Sequence, residues 1–271
     1  MELSATPKTE QTASDTPLAI GIDIGGTGIK GAVVELSTGQ LVGERCKVKT
    51  PEGAPIHAVL QEVRELRDKI LSQPVPLPAT LPIGICMPSV VRHGYSYTAA
   101  NIDQEWVGFN AAAAMSEALG QQVSLVNDAD AAGVGEVRYG AARGVSGSVI
   151  VITLGTGIGS ALIHNGRLFP NTELGHMELN GHPDIERVAS ARAREVLDLK
   201  FRTWAADYLS PYFQELEALL APDQFIISGG VSKRAEKFLP HIECETPIAV
   251  AGLVNNAGII GAASLGAEGW D

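Results

Sequence analysis

The stretch IGGTGIKGAVV at residues 24–34 governs the reading of this chain, because a close copy, LGTGIGSALI, returns at residues 154–163. Thr27 to Val34 lies over Thr156 to Ile163 without a gap. Each copy follows a short apolar run, LAIGIDI or SVIVITL, and leads to a small turn, STG or HNG. An apolar run, a glycine-rich reversal and a second apolar run predict a β-hairpin. Two such hairpins about half a chain apart predict an internal duplication.

The surroundings repeat as well. GQLVGERCKVKT and GRLF each add a third strand to their hairpin. AVLQEVRELRDKILS follows the first, with Val59, Leu60, Val63, Leu66, Ile70 and Leu71 on one helical stripe. LPIGICM and QVSLVND read as buried strands, and NAAAAMSEALG as a helix with Asn110 as N-cap and Gly120 as its stop. In the second half a long helical region from about Glu186 to Leu220 should kink or split at Pro211. DQFIISGG and PIAVAGL read as strands, and the Ala/Gly-rich NNAGIIGAASLGA as a final helix starting at an Asn. The expected fold is α/β, built of two like halves with a cleft between them. In such folds ligands sit at the carboxyl ends of the strands, where the glycines are.

Composition bounds the partners. The 271 residues are 45% hydrophobic, enough for packed cores, and the net charge of -11 disfavours nucleic acid. No apolar run reaches transmembrane length. Cys46, Cys86 and Cys244 are scattered and odd in number, which argues against a disulfide framework and for a reducing, cytoplasmic setting. Residues 1–17 are polar, lack the apolar centre of a signal peptide, and read as a disordered leader.

Five stretches carry chemistry. In DIGGT, residues 23–27, a strand–Gly–Gly–Thr turn can aim backbone N–H groups and the Thr27 hydroxyl at an anion, with Asp23 holding Mg²⁺ directly or through water. LGTGIG repeats that turn around Thr156 and Gly157, and SGGVS, with Gly229 and Gly230, leads into a helix start that favours an anion or a nucleotide. Each turn alone is equally an ordinary hairpin; three after three apolar strands suggest a phosphate clamp. In VNDAD, Asp128 can take a proton from a substrate hydroxyl and Asn127 can bond a neighbouring one. The competing reading is a helix cap, for which Asp130 is the better candidate. In NTELGHMEL, Glu173 and His176 can converge on adjacent hydroxyls of one polyol. With His182 close but no thiolate, zinc is not expected there. Asn101 and Ser89 are further polar candidates, each with a structural alternative.

The few cations near these turns are Lys30, Arg138, Arg143, Lys233, Arg234 and Lys237. In ERCKVK, Arg45, Lys47 and Lys49 alternate and would share one face of a strand. They are either solvated surface or a path for a long polyanion.

DIGGT, NDAD, LGTGIG, ELGH and SGG, in this order, resemble the ROK sugar kinases of the actin-like ATPase superfamily, over about residues 18–267. GIDIGGTGIKGAVVEL, NTELGHMEL and NNAGIIGAA are most similar to the polyphosphate-using glucokinases of that family, some of which also accept ATP and mannose. The resemblance implies a duplicated, ribonuclease H-like fold. Its small domain would span residues 18–127 with the C-terminal helix at 256–271, and its larger domain residues 128–255.

The resemblance also implies roles. Asp128 matches the general base on the sugar 6-hydroxyl, and Asn101, Asn127, Glu173 and His176 match sugar contacts. Ser89 stands where many members have a glycine, and Glu186 matches the Glu that follows a zinc loop. Gly25, Gly26, Thr27, Thr156, Gly157, Gly229 and Gly230 match the phosphate and nucleotide loops. Glucose or mannose would be the acceptor, polyphosphate or ATP the donor, Mg²⁺ the cofactor, and a homodimer a common state. The family's cysteine-rich zinc loop is absent from GHPDIERVAS, so no zinc is expected. The alternatives are a sugar-binding regulator without transfer activity, and a polyphosphatase or ATPase.

Overall fold

The structure is a computed structural model that describes residues 17–100 and 102–270. The expected leader therefore lies outside the described residues, apart from Pro17. Two five-stranded sheets carry the chain. The first is built from β1 (Leu18–Gly25), β2 (Gly28–Glu35), β3 (Gln40–Val48), β4 (Ile83–Met87) and β7 (Val123–Asn127), in the order β3-β2-β1-β4-β7. The second uses β8 (Ser148–Leu154), β9 (Ile158–His164), β10 (Arg167–Phe169), β11 (Gln224–Ser228) and β12 (Ile248–Val250), in the order β10-β9-β8-β11-β12. The two orders are the same pattern: an antiparallel three-strand meander extended by two parallel strands. A small hairpin, β5 (Val91–Arg92) with β6 (Tyr95–Ser96), follows β4.

Helices cover both faces of each sheet. On the first, α1 (Ile56–Leu71) presents Val59, Val63, Leu66 and Ile70 to Ile20, Ile22 and Ile24. Leu60 is half-buried and Leu71 is 43% exposed, so the stripe is narrower than the sequence suggests. The helix α2 (Ala111–Leu119) starts and stops as expected: Asn110 accepts from the Ala113 N–H, and Gly120 takes a left-handed conformation. On the second sheet, an aromatic cluster of Trp204, Tyr212, Phe213, Phe225 and Phe238 is fully buried. At roughly 1.5–3 kcal/mol for each large side chain, such clusters hold each sheet to its helices.

The long helical region breaks more often than expected, and earlier. It consists of α4 (Glu186–Ala189), α5 (Ala191–Val196), α6 (Phe201–Trp204) and α7 (Ser210–Leu220). Ser190 caps α5 with its hydroxyl, and Asp198 turns left-handed between α5 and α6. A π-helical turn, Ala205–Leu209, precedes Pro211. It absorbs the register change that a proline imposes on the preceding carbonyls.

Two helices, α3 (Asp128–Tyr139) and α8 (Ala257–Glu268), pack on each other between the sheets. The first also touches β8 and β9, and the second lies on β1 and β4. The contact is close because Gly21 and Gly84 lie under the carbonyls of Ile259 and Ala262, where any side chain would collide. Asn256 precedes α8 without capping it; its side-chain oxygen instead accepts from Arg45. The third glycine turn leads into a 3₁₀ segment, Gly230–Lys237, rather than the expected α-helix start.

Candidate active site

The two repeated hairpins meet at a cleft. In the first, Asp23 pairs with Lys30 across β1 and β2; in the second, Thr153 pairs with Gly159 across β8 and β9. The strand leading into the second turn is one residue closer to it, so three residues, Gly155, Thr156 and Gly157, join Leu154 to Ile158. The first copy holds an ion pair, with Lys30 Nζ 3.3 Å from Asp23 Oδ2. The second copy has no room for one: a Cβ on Gly159 would stand 2.9 Å from the Cβ of Ala129 at the start of α3. The start of α3 thus leaves no space at Gly159 for a side chain like that of Lys30. The Thr153 hydroxyl is buried there without a partner among the described residues.

Asp128 is the first residue of α3. Asn127 caps that helix, its Oδ1 accepting from the N–H groups of Ala129 and Asp130. This corrects the expected cap: Asp130 points inward, and its Oδ2 accepts from the Asn171 N–H at 2.7 Å. Asn127 also donates to the Ser89 carbonyl at 3.1 Å, which leaves one N–H hydrogen of its amide for a ligand. Burial pushes the Asp128 carboxyl up to about 6, and the carboxylates of Asp23 and Glu173 add to the rise against the Ala129 N–H. Burial pushes Asp130 up to about 7. Cys86, also buried, has its thiol raised by burial and by Asp23 and Asp128.

The Glu173 loop is fastened to β9. Ser160 donates to the Thr172 carbonyl at 2.8 Å and accepts from the Leu174 N–H, while the Thr172 hydroxyl donates back to the Ser160 carbonyl. Glu173 is raised by burial, a rise that His176 opposes and Glu186 reinforces. His176 has Asp184 at 3.3 Å, Glu173 at 3.8 Å and Glu186 at 4.0 Å around its ring. His176, Asp184 and Glu186 are close enough to share one divalent cation. That donor set is one nitrogen with hard oxygens, and Asp184, not His182, is the neighbour; the His182 ring instead sits by Tyr208. Glu186 does more than face the sugar loop: its Oε2 accepts from the Ile158 N–H at 2.9 Å and so braces the second turn.

Of the residues expected at a ligand site, all but Thr27 and Asn101 line one cavity of about 750 Å³ between the sheets. Thr27 is exposed at the tip of its turn, and Asn101 lies outside the described residues. Ser89 lines the cavity, and its hydroxyl is committed to Ser96 and the Val90 carbonyl. Arg138 does not reach it and pairs with Glu268. Sequence reasoning missed Thr153, Ser160, Thr172, Asn255 and Gly258, which also line the cavity. Thr172 lies inside NTELGHMEL and Ser160 directly follows LGTGIG; Asn255 and Gly258 lie inside NNAGIIGAA, whose pattern reads only as a helix start, and α8 brings them in from the other end of the chain. Asp23 lines the cavity, and a carboxylate there suits Mg²⁺, which takes one or two carboxylates alongside substrate phosphates.

Two like sheets, each with a glycine turn reaching into a shared cleft, define the actin-like ATPase fold, the fold of the solved sugar kinases to which this chain is similar. A family model described as the ROK family matches residues 19–191. The chain belongs to the ROK family. It is 44% identical to the polyphosphate glucokinase of Mycobacterium tuberculosis over 263 residues, 96% of each protein. Among solved structures it is similar to the inorganic polyphosphate/ATP-glucomannokinase of Arthrobacter sp. strain KM, at 47% identity and a TM-score of 0.88 over 93% of this chain and 99% of that one. A ROK family glucokinase of Streptomyces griseus, solved with glucose and AMPPNP, matches at 27% identity and a TM-score of 0.76, over 92% and 98%. No helix among the described residues is long and apolar enough to cross a membrane.

Proposed function

We propose that the protein transfers the terminal phosphoryl group of ATP or polyphosphate to the 6-hydroxyl of glucose, and of mannose. The observation that carries this reading is the Asp128 carboxyl at the first turn of α3. It lines the same cavity as both glycine turns and is raised to about 6, so that near neutral pH it is an available base of useful strength. A carboxylate there takes the proton of the sugar hydroxyl as the oxygen attacks the terminal phosphorus. The bridging P–O bond breaks, and ADP or a shortened polyphosphate leaves.

Glu173, His176 and the free N–H of Asn127 are placed to read sugar hydroxyls, and the described part of the 98–100 segment completes that wall. Gly25, Gly26, Gly157, Gly229 and Gly230 offer backbone to the donor phosphates, with Lys30 adding a cation. Bound Mg²⁺ would be held by Asp23 and would offset phosphate charge. Residues 18–127 with the C-terminal helix would move as one unit against residues 128–255, and closure of the two over the cleft would exclude water from the donor. Nucleotide substrates and three free cysteines suit the cytoplasm.

The test pairs each donor, ATP and polyphosphate, with each acceptor, glucose and mannose, and measures sugar 6-phosphate directly. Sugar phosphate formed in proportion to donor consumed supports the reading. Free phosphate without sugar phosphate marks a hydrolase and overturns it.

A further inference from the structure

The ion pair of the first hairpin does not end at Lys30. Lys30 is directly opposite Lys47 in the β2–β3 register, as Asp23 is opposite Lys30 in β1–β2. Directly opposed residues project from the same face of a sheet. Asp23, Lys30 and Lys47 therefore form one row across three strands, starting in the cavity and ending on the edge strand. Lys47 leans toward the phosphate turn: a Cβ on Gly28 would stand 3.3 Å from its Nζ. Arg45, two residues back on the same face, donates from Nη1 to Asn256 Oδ1 at 3.0 Å. That asparagine adjoins Asn255 and Ala257 on the cavity wall.

This arrangement is unfavourable as it stands. Like charges directly opposed on a sheet destabilise it. Asp23 balances Lys30, but among the described residues no carboxylate forms an ion pair with Lys47 or Arg45. Both are exposed, on a protein of net charge -11. A polyanion lying across the row would relieve the repulsion. A nucleoside triphosphate ends after three phosphoryl groups, whereas a linear polyphosphate continues with one negative charge at each repeat.

We infer that Lys47 and Arg45 form an outer subsite for the distal phosphoryl groups of a linear polyphosphate donor, continuing the row from Lys30 over the edge strand β3. The inference rests on the polyphosphate reading of the active site. Its test measures kcat and KM for long-chain polyphosphate, tripolyphosphate and ATP, at saturating glucose, in the wild type, Lys47→Ala, Arg45→Ala and the double variant. The expected result is a KM for long-chain polyphosphate raised at least tenfold in the double variant. The KM values for tripolyphosphate, ATP and glucose stay within twofold, and Lys47→Arg retains the wild-type value. Added salt should raise the polyphosphate KM more steeply in the wild type than in the double variant. Retained ATP activity reports that the variants are folded. A polyphosphate KM that does not move, or that moves in step with the ATP KM, overturns the subsite while leaving the donor reading intact. A wild type that uses ATP but no polyphosphate overturns the donor reading and the subsite with it.

Discussion

The carboxylate of Glu186 accepts a hydrogen bond from the backbone N–H of Ile158 at 2.9 Å, from a position 28 residues further along the chain. One side chain thus joins the loop that carries His176 to the second glycine turn, Gly155–Gly157. Its other oxygen lies 4.0 Å from the His176 ring.

Replacing Glu186 with Ala leaves the Ile158 N–H without its acceptor, at a cost of about 1–3 kcal/mol. The expected outcome is a rise in donor KM and a melting temperature lower by about 2–4 °C per kcal/mol lost. Glu186→Gln keeps an acceptor oxygen and should restore most of the stability. Steady-state kinetics with each substrate varied, together with thermal melts, check this. A rise confined to the sugar KM, with an unchanged melt, would place Glu186 with the sugar alone.

The proposed base, Asp128, has a strength set by burial and by its neighbours. Removing it as Asp128→Asn should lower kcat by roughly 10²–10⁴ at saturating glucose. In the wild type the base must be ionised, so kcat/KM should rise with pH through about 6. The Asp23 carboxylate contributes to that value, so in Asp23→Asn the rising limb should move to lower pH, whatever happens to the absolute rate. A pH–rate profile of both proteins decides it. Turnover near the wild-type rate in Asp128→Asn would remove Asp128 from the chemistry.

Glu173, the proposed sugar contact, lines the cavity beside Asp128. A hydrogen bond to a charged group is worth about 1.5–3 kcal/mol, so Glu173→Ala should raise the glucose KM roughly 10- to 100-fold with a smaller change in donor KM. The Ser160–Thr172 clasp holds the loop without touching Glu173 directly, so the fold should survive the substitution. Kinetics with glucose and ATP varied independently test this; a donor KM that rises while the glucose KM stays put would reassign the residue.

The elements legible in the sequence are those whose signals are local. Both hairpins announce themselves by apolar runs on either side of glycines, and the Asn110 cap and Gly120 stop of α2 lie within one helix length of the residues they serve. The cap of α3 was harder, because Asn127, Asp128 and Asp130 are all cap-forming types within four positions. Only the tertiary bond from Asn171 to Asp130 shows which of them turns inward. The breaks at Ser190 and Asp198 were hidden behind Pro211, the one residue there with a strong backbone rule. The brace from Glu186 and the reach of Lys47 over Gly28 depend on register between distant segments, which spacing along the chain does not encode.

Asp130 offers a prediction about stability. It is fully buried, its Oδ2 accepts from the Asn171 N–H, and its Oδ1 has no partner among the described residues. Asn171 in turn bonds both the N–H and the carbonyl of Val91, so the network ties α3 to the small β5–β6 hairpin. Burial raises the carboxyl from 3.8 to about 7, so the folded state holds this proton more tightly than the unfolded chain. The contribution is fully present below pH 3.8 and is lost as pH rises to about 7. A shift of that size corresponds to on the order of 4 kcal/mol. Asp130→Asn keeps an acceptor for Asn171 and removes the titration. Its melting temperature should therefore gain on the wild type steadily between pH 5 and pH 7, and hold a constant lead above that, which melts across this range measure directly. Parallel curves for the two proteins would mean that Asp130 stays ionised when buried, and that an unseen donor satisfies Oδ1.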